Sequence, residues 1–353
     1  MCVMAWEKNS GCLIVRESVK KIILRSISMK IILSAFLGVF ILYVGADVYK
    51  PSGIFSSSPG GDIFSHPRMR GVLIRAAWKD LEPEPGSFNF DRLDAQLAGI
   101  KPYKKNWSLA VMAGGIGSPL WLTEKEKIPS VAFKFRGEKD ASIPAFWHEK
   151  TQCLLALLAD ELGRKYSTES GLVLVYIPQM TANGVEGHLN GVDMNAMKEI
   201  GYTDEKWINA AIRVSHSFAA AFPEKALAYE VHEIDRSARV PEIIINRLWE
   251  DPILKKRVGA AVWWLSGNET YQADLLKVLR DFPGDIYCQM IGRSDQSHRF
   301  PSGYQGAFTQ AKSMKARYIE VWEWDFQSGN RGANGAWDNE LKDFNEFTDA
   351  LKK

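Results

Sequence analysis

Between residues 71 and 324 the chain repeats one pattern. A short apolar run with almost no polar alternation is followed by a longer stretch whose apolar residues recur at helical spacing. The apolar runs are 71–78 (GVLIRAAW), 107–113 (WSLAVMA), 172–177 (LVLVYI), 226–231, 258–265, 285–291 and 317–324. Runs of this kind read as strands covered on both faces, which is how parallel sheets are written. The segments between them read as helices. Residues 148–166 carry Leu154, Leu155, Leu158 and Leu162 on one face, and 204–222 carry Trp207, Ala211, Val214 and Phe218 before Pro223 ends the run. Strand and helix alternating this often leave two architectures, an open doubly wound sheet or a closed (β/α)8 barrel. Seven strands are clear and 47–55 has room for a first. No glycine-rich phosphate-binding turn follows an early strand, which disfavours the dinucleotide-binding sheet. The expectation is an α/β chain with a single (β/α)8 barrel domain over 47–353. In such barrels the functional side chains stand at the C-terminal ends of the strands.

Residues 1–46 are set apart. Lys20, Lys21, Arg25 and Lys30 precede the apolar run 31–44 (IILSAFLGVFILYV), and Val44-Gly45-Ala46 follows with small residues. This is the order of a secretory signal. The run is shorter than the ~20 residues that cross a bilayer, so cleavage after Ala46 is expected, with a retained membrane anchor at 31–46 as the alternative. Met29-Lys30 is itself a conventional start, which makes 1–28 an upstream extension. The protein is then expected to be exported, to the periplasm or beyond the cell, with contact to a membrane only through that N-terminal segment.

Charge and metal-binding residues exclude several functions. Without 1–46, the 44 basic and 42 acidic residues fall to 38 and 40. A body of net charge −2 offers no basic face for nucleic acid. Four cysteines show no CxxC pair, and six histidines show no HxH or HExxH pattern. Neither a metal nor a cofactor is expected, and Cys153 and Cys288 read as free thiols. There is no GxSxG elbow for a serine nucleophile.

The strand ends carry the chemistry. After the strand at 71–78 the chain reads W-x-x-L-E-P-x-x-G-x-F-x-F-x-x-L-D over 78–94, and after 107–113 it reads GGIGSPLWL over 114–122. These segments resemble those that follow the second and third strands in the large clan of retaining (β/α)8 glycoside hydrolases, which includes β-galactosidase-like and cellulase-like members. The resemblance extends loosely over 71–325. It implies hydrolysis of O-glycosidic bonds in an oligo- or polysaccharide, with a general acid/base glutamate after strand four. Glu186 is the only acidic residue between Gly171 and Asn190 and takes that role. The usual Asn-Glu pair is absent, because Asn183 lies three residues earlier. The clan's nucleophile stands on strand seven, whereas the acidic strand at 317–324 counts as strand eight if a first strand exists. Run 285–291 contains no glutamate.

The residues themselves point to Glu320 as the second carboxylate. Side chains alternate along a strand, so Tyr318, Glu320 and Trp322 are expected to face the barrel interior and Ile319 and Val321 the helices. A carboxylate in an apolar strand is costly unless paired and hydrogen-bonded. Glu323, Asp325, Glu230 and Glu233 remain open as alternatives. Two carboxylates suit glycoside hydrolysis because one must protonate the leaving oxygen while the other stays ionised beside the developing cation. Arg75 is expected to hold Glu320 ionised. Several of the 12 tryptophans fall near strand ends. Trp78, Trp121, Trp264 and Trp322 are candidate sugar platforms, with Trp121 and Trp322 foremost. Asn183, His188, Glu230, His232 and Glu323 are candidate partners for sugar hydroxyls. The insertion 124–147 is expected to fold over the mouth as a hairpin. Its Lys134, Arg136, Lys139 and Trp147 would suit an anionic sugar, but Glu138 and Asp140 favour a solvated charge cluster. The rival function is a carbohydrate-binding barrel without catalysis.

Overall fold

A computed structural model describes residues 48–60, 62–327 and 337–351; the expected signal or anchor at 1–46 lies outside them. Eight strands, β1 (Gly53–Ser56), β2 (Gly71–Ala77), β3 (Asn106–Met112), β6 (Leu172–Tyr176), β7 (Ala226–Glu230), β8 (Val258–Leu265), β9 (Ile286–Met290) and β10 (Tyr318–Val321), close into a parallel barrel. The remaining two, β4 (Ser130–Phe135) and β5 (Lys139–Pro144), form an antiparallel hairpin between β3 and the next helix. The barrel closes where β1 pairs with both β10 and β2. Among the described residues, seven helices of nine or more residues lie between or after the strands: α1 (Asp91–Ile100), α2 (Glu149–Tyr166), α3 (Asp204–Ala221), α4 (Arg239–Glu250), α5 (Ala273–Asp281), α6 (Gly303–Ser313) and α7 (Asp338–Ala350). The expected (β/α)8 barrel is the observed one, and the first strand, Gly53–Ser56, overlaps the end of 47–55. No helix of the described residues is long and apolar enough to cross a membrane.

Strand alternation sorts the side chains into two cores. Ile319, Val321, Ile286, Cys288 and Met290 face the helices in the larger cluster. Tyr318, Tyr287, Phe55, Leu73, Tyr176 and Trp263 fill the barrel interior. Such a barrel is a packed core and not a pore. Gly71 shows how tightly it is filled: a Cβ there would stand 2.3 Å from the Phe55 ring. Helices α2 and α3 start on capping residues, with the His148 side chain accepting from Lys150 N–H and that of Thr203 from Lys206 N–H. These satisfy backbone donors that a helix start leaves open.

One strand is shorter than its sequence suggests. The run 317–324 leaves the sheet after Val321, and Glu323–Phe326 form a 3-10 turn. Asp325 holds that turn, since its carboxylate accepts from the Ser294 N–H and hydroxyl and from Tyr304 Oη. Trp322 therefore leaves the alternation. Its ring packs against the helix-facing core, with Nε1 donating to the Met290 carbonyl.

Candidate active site

Two polar groups lie at the C-terminal end of the barrel, one within the interior and one at the mouth. The inner group centres on Glu320, which is fully buried. Its Oε1 accepts from Tyr318 Oη at 2.6 Å and Tyr176 Oη at 2.9 Å, with Ser108 Oγ at 3.4 Å, and its Oε2 accepts from Gln289 Nε2 at 2.5 Å. Burial raises its pKa, and Tyr318, Arg75, Gln289 and Tyr176 oppose that rise. Arg75 does not bond Glu320 directly. Its Nη2 donates to Gln289 Oε1 and its Nη1 to the Ser57 carbonyl, both at 2.9 Å, and its guanidinium lies 5.1 Å over the Trp263 ring. Gln289 thus relays between cation and carboxylate.

The outer group is built on the loop after β6. Asn183 Oδ1 accepts from the N–H groups of Val185 and Glu186, and its Nδ2 donates to Glu186 Oε1 at 2.5 Å. Gly184 has φ +88° and lies so close to β3 that a Cβ would stand 2.1 Å from the Ala113 carbonyl oxygen. Only glycine fits that approach. Asn183 and Gly184 therefore set the direction of Glu186, which explains an asparagine three residues before the acid instead of beside it.

Glu186 keeps partial exposure, with 26% of its side chain accessible. Burial raises its pKa, and the Glu230 charge raises it further, against His232, Asn183 and Arg75. Glu230 ends β7 and is buried. Its Oε2 accepts from Gly187 N–H at 2.5 Å and lies 3.0 Å from His232 Nδ1, and its Oε1 accepts from Trp263 N–H at 3.0 Å. Burial pushes its pKa well above the usual carboxylate range. His232 is buried and its pKa falls to about 4; that of His188 falls to about 3, by burial first and then by the charges of His232 and Arg136. His188 Nε2 stands 3.7 Å from Glu186 Oε2, and the two imidazoles are 5.3 Å apart. Trp264 closes this side, 5.9 Å from His232, with Nε1 on the Val231 carbonyl.

The structure thus brings together Glu186, Asn183, His188, Glu230, His232 and Trp264 at one place, and Glu320 with Arg75 at another. Arg75 acts on the acids of both. The carboxylate that acts on Glu186 is Glu230. Glu323 stands at the rim, accepting from Ser57 Oγ at 3.2 Å. Glu233 is half-buried after β7, its N–H donating to Gln272 Oε1.

Trp78 and Trp121 are core residues. Both are buried, and their rings meet edge-on at 6.1 Å. Glu82 ties them: its carboxylate accepts from Trp78 Nε1 and Gly86 N–H, each at 2.8 Å, and its carbonyl accepts from Trp121 Nε1 at 3.0 Å. The sequence motif at 78–90 is a lock between the loops after β2 and β3. Glu82→Ala leaves the buried Trp78 Nε1–H without an acceptor and is expected to cost about 1–3 kcal/mol in urea unfolding. A variant as stable as the parent would show that the lock holds nothing.

Sequence reasoning passed over Gln289, Tyr176 and Ser108. Gln289 carried the same signal as Glu320, a polar residue facing inward from an apolar strand. Among the described residues no group of three or more His, Cys, Asp or Glu is placed to hold a metal ion.

No family model and no curated protein sequence matches the chain. Solved structures do match. A β-galactosidase from Rahnella sp. R3 superposes with TM-score 0.51 at 10% identity, covering 86% of this chain and 57% of its own. The chain therefore spans little more than half the length of that relative. Xylanase 10B from Thermotoga maritima matches with TM-score 0.47 at 10% identity over 77% of this chain and 82% of its own. Endo-glycoceramidase II from Rhodococcus sp. matches with TM-score 0.47 at 14% identity over 78% and 73%. The β-galactosidase match agrees with the (β/α)8 barrel read from the strands, and at this identity the likeness is one of fold.

Proposed function

We propose that this protein is an exported glycoside hydrolase acting on an oligo- or polysaccharide at the C-terminal mouth of the barrel. The observation that carries this is Glu186, a carboxyl with partial exposure and a raised pKa, aimed by Asn183 into a wall of polar side chains. A carboxyl whose pKa is raised holds its proton to higher pH, which is what protonation of a glycosidic oxygen needs. Residues 1–46 act as signal peptide, or as a membrane anchor if uncleaved. The similarity of fold to a β-galactosidase agrees with this reading.

In the mechanism, Glu186 donates its proton to the leaving oxygen as the bond to the anomeric carbon lengthens. Glu320 provides negative charge from within the barrel, held toward the ionised form by three short donors and Arg75. Glu186 then takes a proton from the incoming water. A retaining course further requires Glu320 to turn out of its enclosure and bond the anomeric carbon. His232 and Glu230 hold the loop that carries the acid.

A second reading has a specific observation behind it. Glu320 has no exposed surface, and strand seven, β9, carries Gln289 where the resemblance implies a glutamate. Both favour a barrel that binds carbohydrate without cleaving it. Release of reducing ends across plant, algal and microbial polysaccharides separates the two. Hydrolysis by the parent, reduced about 10²–10⁴-fold in Glu186→Gln with binding retained, is the expected result. Binding with no hydrolysis of any substrate establishes the second reading. Equal turnover in parent and Glu186→Gln removes Glu186 from the mechanism.

A further inference from the structure

The hairpin turn after β4 and the loop beyond Glu186 enclose a cleft of about 300 Å³, at the small end of ligand pockets. Its lining includes Lys134, Phe135, Arg136, His188 and Asn190 and no acidic residue. The two cations differ. Lys134 Nζ lies 2.6 Å from Asp140 Oδ1 and is compensated. Arg136 has no carboxylate within 4.0 Å among the described residues, and its guanidinium rests 5.3 Å over the half-buried Phe135 ring. An aromatic ring beneath a guanidinium orients it while its N–H groups stay open for a ligand. His188 joins this cleft to the site above. Its Nδ1 accepts from Asn190 N–H at 3.3 Å, so the neutral ring carries its proton on Nε2, the atom 3.7 Å from Glu186 Oε2. The cleft is thus a place of positive sign, one imidazole away from the proposed acid, in a body of 38 basic and 40 acidic residues.

We infer that this cleft binds an acidic sugar, one bearing a carboxylate or a sulfate ester, with Arg136 as its cationic contact. The inference deepens the glycoside reading above and rests on it for the sugar. Arg136 presents the planar fork that matches either oxyanion in two-point contact. Asn190 is placed for neighbouring hydroxyls, and Phe135 for a sugar's C–H face. A negative group bound here also adds to the charge around His188 and Glu186. It draws His188 toward protonation and helps Glu186 keep its proton, so an acidic substrate supports the proton donor that cleaves it.

Calorimetric binding of D-glucuronate, glucose 6-sulfate, glucose and inorganic sulfate to the whole protein at low ionic strength tests this. One or both acidic sugars are expected to bind at least tenfold more tightly than glucose, and the stronger of the two identifies the acidic group. Their advantage is expected to fall about tenfold in Arg136→Gln, to survive in part in Arg136→Lys, and to shrink as salt is raised to 0.15 M. Arg136 sits on an exposed turn at φ +54°, which glutamine adopts as readily, so the fold is not at stake. Failure of both acidic sugars to outbind glucose overturns the inference, as does unchanged binding in Arg136→Gln. Inorganic sulfate that matches glucose 6-sulfate also overturns it, because the sugar is then not recognised. Turnover is not needed for any of these readings. A protein that hydrolyses no polysaccharide yet shows the Arg136-dependent preference loses the hydrolase proposal and keeps this one.

Discussion

Glu320→Leu is expected to lower the unfolding free energy by about 3–5 kcal/mol, the usual cost of removing one partner from a buried charged network. Tyr318, Tyr176 and Gln289 all donate to this carboxylate, and Glu320 is fully buried. Leucine leaves the three donors facing an apolar side chain, with no water to replace the oxygen. Glu320→Gln is a sharper test because it keeps the shape. Its carbonyl oxygen can still accept from the two tyrosines. Its amide then faces Gln289 Nε2, so Gln289 must flip to offer its own oxygen. That flip turns the Gln289 amide toward Arg75 Nη2, which in the parent donates to Gln289 Oε1. One donor is orphaned whichever way the amides lie, for a loss of about 1–3 kcal/mol. Exchanging the pair, as Glu320→Gln with Gln289→Glu, removes the conflict. The carboxylate moved to position 289 accepts from Arg75 directly and from the amide N–H now at position 320. The amide oxygen at position 320 still accepts from the tyrosines. Urea unfolding is expected to rank the parent and the exchange variant together, the single amide below them, and leucine lowest. An exchange variant no better than Glu320→Gln would show that the relay through Gln289 does not organise this core.

The relay also shows what a one-dimensional reading can and cannot see. The barrel was legible because seven of its strands are buried on both faces and so are written in nearly unbroken apolar residues; seven such runs with room for an eighth have few ways to pack. Glu320 stood out for the same reason, as a charge at an inward position of an apolar strand. The hairpin was legible as an insertion at 124–147, within which its strands lie at 130–144. Asn183, His188, Glu230, His232 and Trp264 around Glu186 were named from the sequence, but the contacts that hold them were not legible. Glu230 is fixed by backbone N–H groups of Gly187 and Trp263, and a backbone donor is available from nearly every residue, so it leaves no mark in sequence. The tryptophans misled for a related reason. An indole beside a strand end has the same letter whether it faces solvent or core, and Glu82 decides the matter for Trp78 and Trp121. Strand seven was read correctly as lacking a glutamate, but its Gln289 acquired meaning only when the register set it beside Glu320.

Acidification is expected to unfold the mouth through His188 and His232 before the barrel itself responds. Both imidazoles are kept neutral in the fold, with pKa values near 3 and 4 against 6.5 for the free side chain. A depressed folded pKa means that the unfolded chain binds the proton first. The stability these rings contribute is complete above pH 6.5, declines below it and is gone once the folded pKa is passed. For His232, moving from 6.5 to about 4 corresponds to a loss of up to about 3 kcal/mol. Glu230, in contact with His232, has the opposite sign. Its folded pKa is raised by burial, so its contribution is present below the ordinary carboxylate value and is lost as pH rises through the folded one. The two residues therefore make separable predictions. In urea midpoints taken from pH 7 down to pH 4, His232→Gln is expected to start less stable than the parent, having lost its bond to Glu230, and then to decline less. Glu230→Gln removes the opposing carboxyl and is expected to decline more steeply. Parallel profiles for all three proteins would mean that neither group changes its protonation on folding. Glu186 would keep its raised pKa in that case, because burial is the larger cause and an ionised Glu230 adds to it.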